Sequence, residues 1–205
     1  MVKEQDWLFF ENEAYARGYK YVCGVDEAGR GPLAGPVFAA AVILPRGCVI
    51  DGVNDSKKLT EKKREQLYSK IKEQSLAYCV ASASVDEIDE INILNATFLA
   101  MTRAVSGLQV KADFALVDGN RLPSLEIDAK AVVKGDSLSE SIAAASILAK
   151  VERDHLMLNL ANEYPNYAFE KHKGYGTKLH IEMIKKYGAS NVHRKTFLKK
   201  ILNKD

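Results

Sequence analysis

Two apolar runs, Tyr21 to Val25 and Val37 to Leu44, bracket a stiff turn that contains Ala28-Gly29-Arg30-Gly31-Pro32-Leu33-Ala34-Gly35-Pro36. Pro32 and Pro36 fix φ and remove amide donors, so this segment cannot continue a helix or a ladder. Gly29 and Gly31 flank Arg30 and let backbone amides come close to a ligand. The pattern predicts a strand from about Lys20 to Asp26, a rigid turn, and a second strand over 37–44. That second run is apolar nearly throughout, so it should be buried on both faces. Asp26 and Glu27 stand where the first run meets the turn. An adjacent carboxylate pair beside a glycine-lined basic loop suits a metal ion next to a phosphate. The same residues also fit a strand that simply ends in a polar turn.

At 205 residues and 47% hydrophobic, the chain is expected to form one globular unit with a real core. No apolar stretch reaches the roughly 18–20 residues of a membrane helix. The acidic residues in Met-Val-Lys-Glu-Gln-Asp-Trp argue against an export signal. Cys23, Cys48 and Cys79 are odd in number and form no C-x-x-C, which points to reduced thiols in the cytoplasm. Charge is uneven. Residues 171–205 carry ten Lys/Arg against Glu182 and Asp205, a net +8, whereas the other 170 residues carry a net −6. A basic block on a slightly acidic body suggests a polyanion partner, or a solvated lysine-rich face.

Along the chain, 4–18 reads as a short helix ended by Gly18. Thr60 reads as the N-cap of a helix to about Gln74, and a third strand follows over 76–83. Asp55-Ser56-Lys57-Lys58 precedes that helix and could meet a phosphate through a hydroxyl and an ammonium, or could be an ordinary helix approach. The acidic cluster Asp86, Glu87, Asp89, Glu90 follows Ser84, which has capping-box spacing to Glu87. It therefore reads as a solvated helix start and not a metal site. A second helix is expected over 96–108.

Phe114 to Val117 predicts a short buried strand ending in Asp118-Gly119, which could be a hairpin corner or a carboxylate at the end of a central strand. A fifth strand is expected over 125–133. Asp136 then precedes a long helix over 138–164, with Ser137 and Glu140 at capping-box spacing. That helix carries Ile142-Ala-Ala-Ala-Ser146-Ile147, a small-residue face able to lie close to a sheet. Asp154 reads as a structural partner. The tail predicts an amphipathic helix over 179–187. It also places Tyr175 between two glycines, where it could stack on a base or sugar or pack on the body. The four histidines show no metal-binding spacing.

Asp26, Glu27, Asp118 and Asp136 each fall at a predicted strand end or helix start. If their strands are neighbours, the carboxylates converge, and each resists ionising unless a cation sits among them. Oxygen-only ligands select Mg²⁺ or Mn²⁺. Two such ions about 4 Å apart can clamp the attacking and leaving oxygens of a phosphodiester. No Ser/His/Asp or Cys/His set competes with this reading.

These residues resemble the type 2 ribonuclease H family, the ribonuclease HII of bacteria. The resemblance lies in Gly24 to Pro36, Asn54-Asp55-Ser56-Lys57-Lys58-Leu59, Ile88 to Leu94, and Leu116-Val117-Asp118-Gly119-Asn120-Arg121-Leu122-Pro123. It continues through Lys134-Gly135-Asp136, Ser141 to Val151 with Arg153-Asp154, and Lys173-Gly174-Tyr175-Gly176-Thr177. It departs late: His193-Arg194-Lys195-Thr196-Phe197 has Lys and Thr where the family often has Arg and Ser, and a common preceding proline is absent.

The resemblance implies an α/β, ribonuclease H-like fold: a five-stranded mixed sheet flanked by helices, within one catalytic domain. Its core would span about 18–164, with a basic helical part over about 165–205. It implies hydrolysis of the RNA strand of RNA–DNA hybrids and nicking of duplex DNA 5′ of embedded ribonucleotides, leaving 3′-hydroxyl and 5′-phosphate ends. Asp26, Glu27, Asp118 and Asp136 would be the catalytic metal ligands, with Mn²⁺ or Mg²⁺. Gly29, Arg30, Gly31 and Tyr175 would recognise the 2′-hydroxyl and the RNA–DNA junction, and Lys57 would contact phosphate. The chain would act as a cytoplasmic monomer. The competing expectations are a resolvase- or transposase-like DNA nuclease of the same fold, and a non-catalytic nucleic-acid-binding module.

Overall fold

The computed structural model describes residues 6–202. Residues 4–5 of the expected first helix, and Lys204 and Asp205 of the basic tail, lie outside them. Helix α1 spans Phe9–Ala16, shorter than expected. β1 is Val22–Ala28 and β2 is Val37–Ile43. α2 is Glu61–Gln74, capped by the Thr60 hydroxyl, and β3 is Ala77–Ala83. α3 is Val85–Ser106, β4 is Phe114–Asp118 and β5 is Asp128–Val132. The long α4 is Glu140–Glu163, followed by α5 (Phe169–His172), α6 (Lys178–Tyr187) and α7 (Lys195–Leu202).

The strands form one mixed sheet in the order β3-β2-β1-β4-β5. β1 pairs antiparallel with β2 and parallel with β4, and β4 pairs parallel with β5. The Asp118-Gly119 corner is therefore not a hairpin. β1 also runs two residues further than expected, so Asp26 and Glu27 lie inside it. Alternation sends Cys23 and Val25 to a core shared with α3, and Val22 and Ala28 to the α4 side.

Three local expectations are refined. The Ser84–Glu87 capping box forms, but α3 is one element broken at Asn92 (φ 67). The Asn92 side chain accepts from Leu94 N and Asn95 N, which restarts the helix as an N-cap would. The cap of α4 is Ser139, not Ser137, and its hydroxyl accepts from Ile142 N. Glu140 turns inward and accepts from Ile50 N at 2.9 Å. The acidic cluster also does more than start a helix: Asp89 accepts from Lys195 N at 2.8 Å and Thr196 N at 3.0 Å, fastening α7 to α3.

β1 and the first turn of α4 meet backbone to backbone. A Cβ on Gly24 would lie 2.1 Å from Ser141 C and 2.3 Å from Ile142 N. Both neighbours are backbone, so neither can rotate away. Nearby, the α1 residue Glu11 is buried and accepts from Ser139 Oγ, Ser141 N and Ser141 Oγ, tying α1 to the same helix start.

Gly24→Ala is expected to cost about 3 kcal/mol or more through overpacking, read as a lower denaturant midpoint or failure to accumulate as folded protein. Burial, with Glu11 nearby, pushes the Glu140 carboxyl up to about 7. A raised carboxyl adds stability that is complete below its unfolded value of about 4.5 and is lost as pH rises through about 7. Glu140→Gln should therefore gain stability relative to the parent protein as pH rises from 5 to 9. A constant difference across that range would refute the assignment.

Candidate active site

Asp26 lies on the α4 side of β1, buried beside the Ser146 side chain, and its carboxylate accepts from Glu27 N at 2.7 Å. Ser146 belongs to the small-residue stretch of α4, and its own hydroxyl lies 2.7 Å from Ser56 Oγ. That contact holds the 56–58 turn, and so Lys57, over the site. Arg64 supports the same turn by donating to Ser56 O and Leu59 O. Asp154 pairs with Lys150 at 2.6 Å and with Arg64 at 3.8 Å, a structural place as expected.

β1 and β4 are parallel and paired up to Val25–Val117, so Asp26 and Asp118 follow as neighbours at the same end of the sheet. Asp118 accepts from Gly135 N at 2.6 Å, which fastens the short turn carrying Asp136. The turn enters through Lys134 at φ 58. A Cβ on Gly135 would lie 2.5 Å from Ile142 Cδ1 and 3.3 Å from Asp118 Oδ1, so a side chain here would push on Ile142 and crowd Asp118. Lys57 Nζ stands 3.3 Å from Asp136 Oδ2, and Arg30 Nη1 stands 3.6 Å from Glu27 Oε1.

The four acids form one electrostatic unit. Burial, then the charges of Glu27 and Asp118, holds the Asp26 carboxyl well above the ordinary range. Burial also raises Glu27, against the pull of Arg30, and raises Asp118, with help from Asp136. Among the described residues, no three acidic, histidine or cysteine side chains are already gathered into a closed ligand set. The Lys57 ammonium supplies the positive charge beside Asp136 instead. The donor chemistry fits a hard divalent cation: every carboxylate offers oxygen, and a cation would relieve the repulsion that resists their ionisation.

The Gly29–Pro36 loop meets the C-terminal segment. Leu33 N donates to Gly174 O, and Gly35 N to Val192 O, both at 2.8 Å. A Cβ on Gly31 would lie 3.7 Å from Tyr175 Cε1, so Tyr175, 44% exposed, stands beside the Gly29-Arg30-Gly31 turn. The expected site residues are thus all found at one end of the sheet. A cleft of about 290 Å³ touches Glu27, Arg30, Asp118, Asn120 and Arg121 there. A larger one of about 730 Å³, lined by Leu33, Asp89, Asn92 and Phe197 among others, lies away from the four acids.

Sequence reasoning missed the residues that hold this loop. Arg153 and Arg194 are fully buried, and neither guanidinium bonds to a carboxylate. Arg194 donates to Gly29 O at 2.6 Å, Arg30 O at 3.0 Å and Gly35 O at 2.9 Å. Arg153 donates to Ala34 O, Pro36 O and Lys173 O, and its Nε would sit 2.1 Å from a Cβ on Gly29. Arg194 thus leaves the basic surface to which its sequence position assigned it. The late His-Arg element was its only signal.

A family model described as Ribonuclease HII matches residues 23–200. A ribonuclease HII of Caldicellulosiruptor bescii is 54% identical over 201 residues, covering 98% of each chain. Among solved structures, ribonuclease H2 of Pyrococcus horikoshii OT3 superposes with a TM-score of 0.73 at 28% identity, covering 91% of this chain and 100% of that one. Bst-RNase HIII in complex with Mn²⁺ gives 0.65 at 20% identity, covering 85% and 65%, a likeness of fold.

Arg194→Lys keeps the charge but loses the planar fork that serves three carbonyls. It should cost about 2 kcal/mol, a buried charged hydrogen bond or two. Amide exchange at Leu33 and Gly35 should speed up more than in β1. Uniform exchange across the molecule would argue against a specific hold on this loop.

Proposed function

The chain belongs to the ribonuclease HII family, and on that premise we propose that Asp26, Glu27, Asp118 and Asp136 are its catalytic metal ligands. The protein is a ribonuclease H, an endonuclease acting on the RNA strand of RNA–DNA hybrids. It also nicks duplex DNA on the 5′ side of an embedded ribonucleotide. The observation that carries the residue assignment is the group of mutually repelling, partly buried carboxylates at the ends of two parallel strands. A structural role alone would leave that cost unrelieved.

The bound ions, Mn²⁺ or Mg²⁺, would supply an activated water and stabilise the leaving 3′ oxygen. The chain's own residues do the rest. Asp26 and Asp118 hold fixed positions because Glu27 N and Gly135 N bond their carboxylates. Lys57, whose ammonium stands beside Asp136, would contact a substrate phosphate. Gly31 and Tyr175 face one sugar: the glycine admits it, and the tyrosine stacks on it or bonds its 2′-hydroxyl. Arg30, exposed at the same turn, meets the backbone. Attack on the phosphorus breaks the P–O3′ bond, leaving 3′-hydroxyl and 5′-phosphate ends. We assign this activity to a monomer in the cytoplasm, a setting in which the three cysteines stay as free thiols.

A DNA duplex with one ribonucleotide should be nicked once, beside that residue, with Mg²⁺ or Mn²⁺, and an all-DNA duplex left intact. Equal cutting of both would instead indicate a DNA nuclease. Asp26→Asn should lower single-turnover cleavage by about 1000-fold, roughly 4 kcal/mol of transition-state stabilisation. Duplex binding should be retained or improved. Parent-like cleavage by that variant would remove Asp26 from the ligand set.

A further inference from the structure

Three histidines lie buried together in the C-terminal part. The rings of His172 and His180 stack at 4.3 Å and 18°, and His193 adjoins them against Tyr167 and Phe169. None of these histidines touches the four acids. Their hydrogen bonds admit one arrangement of protons. Ser190 N donates to His193 Nδ1 at 3.0 Å, so that nitrogen is bare and Nε2 carries the proton. His180 Nδ1 lies 3.0 Å from Tyr175 O, which can only accept, so His180 is protonated on Nδ1 and bare on Nε2. The two Nε2 atoms lie 3.1 Å apart, and the proton of His193 bridges them. A second proton on either ring would set two N–H groups against each other. Burial agrees, driving both rings down to about 4.

This relay ends on the Tyr175 carbonyl. His172 supports the same residue from the other side: its Nε2–H donates to Tyr167 O at 2.8 Å, its Nδ1 accepts from Gly174 N, and its carbonyl accepts from Tyr175 N. At the relay's other end, His193 bridges to Ala34, and the next residue, Arg194, holds the carbonyls of Gly29 and Arg30. The dipeptide His193-Arg194 therefore links the two halves of the proposed sugar site: His193 reaches the Tyr175 carbonyl through His180, and Arg194 bonds the carbonyls of Gly29 and Arg30 just before Gly31.

We propose that His193 and His180 are positioning residues for ribonucleotide recognition: as a singly bridged pair they set Tyr175 against Gly31, so that substrate selection acts through them. This rests on the role of Tyr175 given above.

The test is a double-mutant cycle on the metal-loaded enzyme, read as single-turnover kcat/KM on the single-ribonucleotide duplex. His193→Ala should lose about 100-fold, the penalty of a misplaced recognition group. In a Tyr175→Ala background the same change should cost less than about threefold, because its target is gone. Losses that multiply in full would overturn the proposal while leaving Tyr175 as a substrate residue. A Tyr175→Ala enzyme that cuts like the parent would overturn the underlying reading as well. His193→Gln keeps a donor near Nε2 and should outperform His193→Asn at equal thermal stability; activity that merely tracks stability would mean a structural role. If His193→Ala does not fold, that pair carries the test. Nitrogen-15 NMR of the parent protein should show His193 protonated on Nε2 and His180 on Nδ1, and the opposite tautomers would sink the relay.

Discussion

The active end of this molecule depends on one contact without side chains, the approach of α4's first turn to β1 at Gly24. Because no Cβ intervenes, the helix lies close enough for Ser146 to stand beside Asp26 and for Ile142 to press on Gly135. Ser139 caps the helix there, and the turn carrying Asp136 leads directly into it. The small residues from Ala143 to Ser146 continue the contact, all of them buried. Four carboxylates from distant parts of the chain are thus set by backbone packing, which is harder to perturb than side-chain packing.

A second constraint acts on the opposite flank. Loop 29–36 has few side chains with which to fix itself, so its carbonyls are held from outside by Arg153 and Arg194. Burying two guanidinium groups without carboxylate partners costs several kcal/mol each in desolvation. The return is several charge-assisted hydrogen bonds, each worth about 1.5–3 kcal/mol, made only when the loop has one shape. Arg153 extends from α4 and Arg194 precedes α7, so the loop is clamped between α4 and the C-terminal helices. The cluster of Leu33, Ala34, Met157, Phe169 and Ile184 supplies the apolar part of that clamp.

Much of this architecture was legible. Five strands, the capping of α2 and α3, and the places of Asp26, Glu27, Asp118 and Asp136 in strands or the turn after one follow from apolar runs punctuated by polar residues, because burial periodicity and turn chemistry are local. The errors were also local in origin. Ser137 and Ser139 have near-equivalent sequence contexts, and only the inward turn of Glu140 toward Ile50 N selects Ser139 as the cap. Asp118-Gly119 has the composition of a hairpin corner, and only the pairing of β4 with β1 makes its neighbour parallel.

The sequence by itself determined which residue types were available: carboxylates at strand ends, a stiff glycine turn, a small-residue helix face and a glycine-flanked tyrosine. Tertiary structure decided which groups meet. It buried Arg194, which by position is one of ten basic tail residues, and bonded it to carbonyls. It joined His193 to His180, and His180 in turn to the Tyr175 carbonyl. Such partners are invisible beforehand because a backbone carbonyl is the same at every residue, so its choice of donor is fixed only by where the folded chain passes.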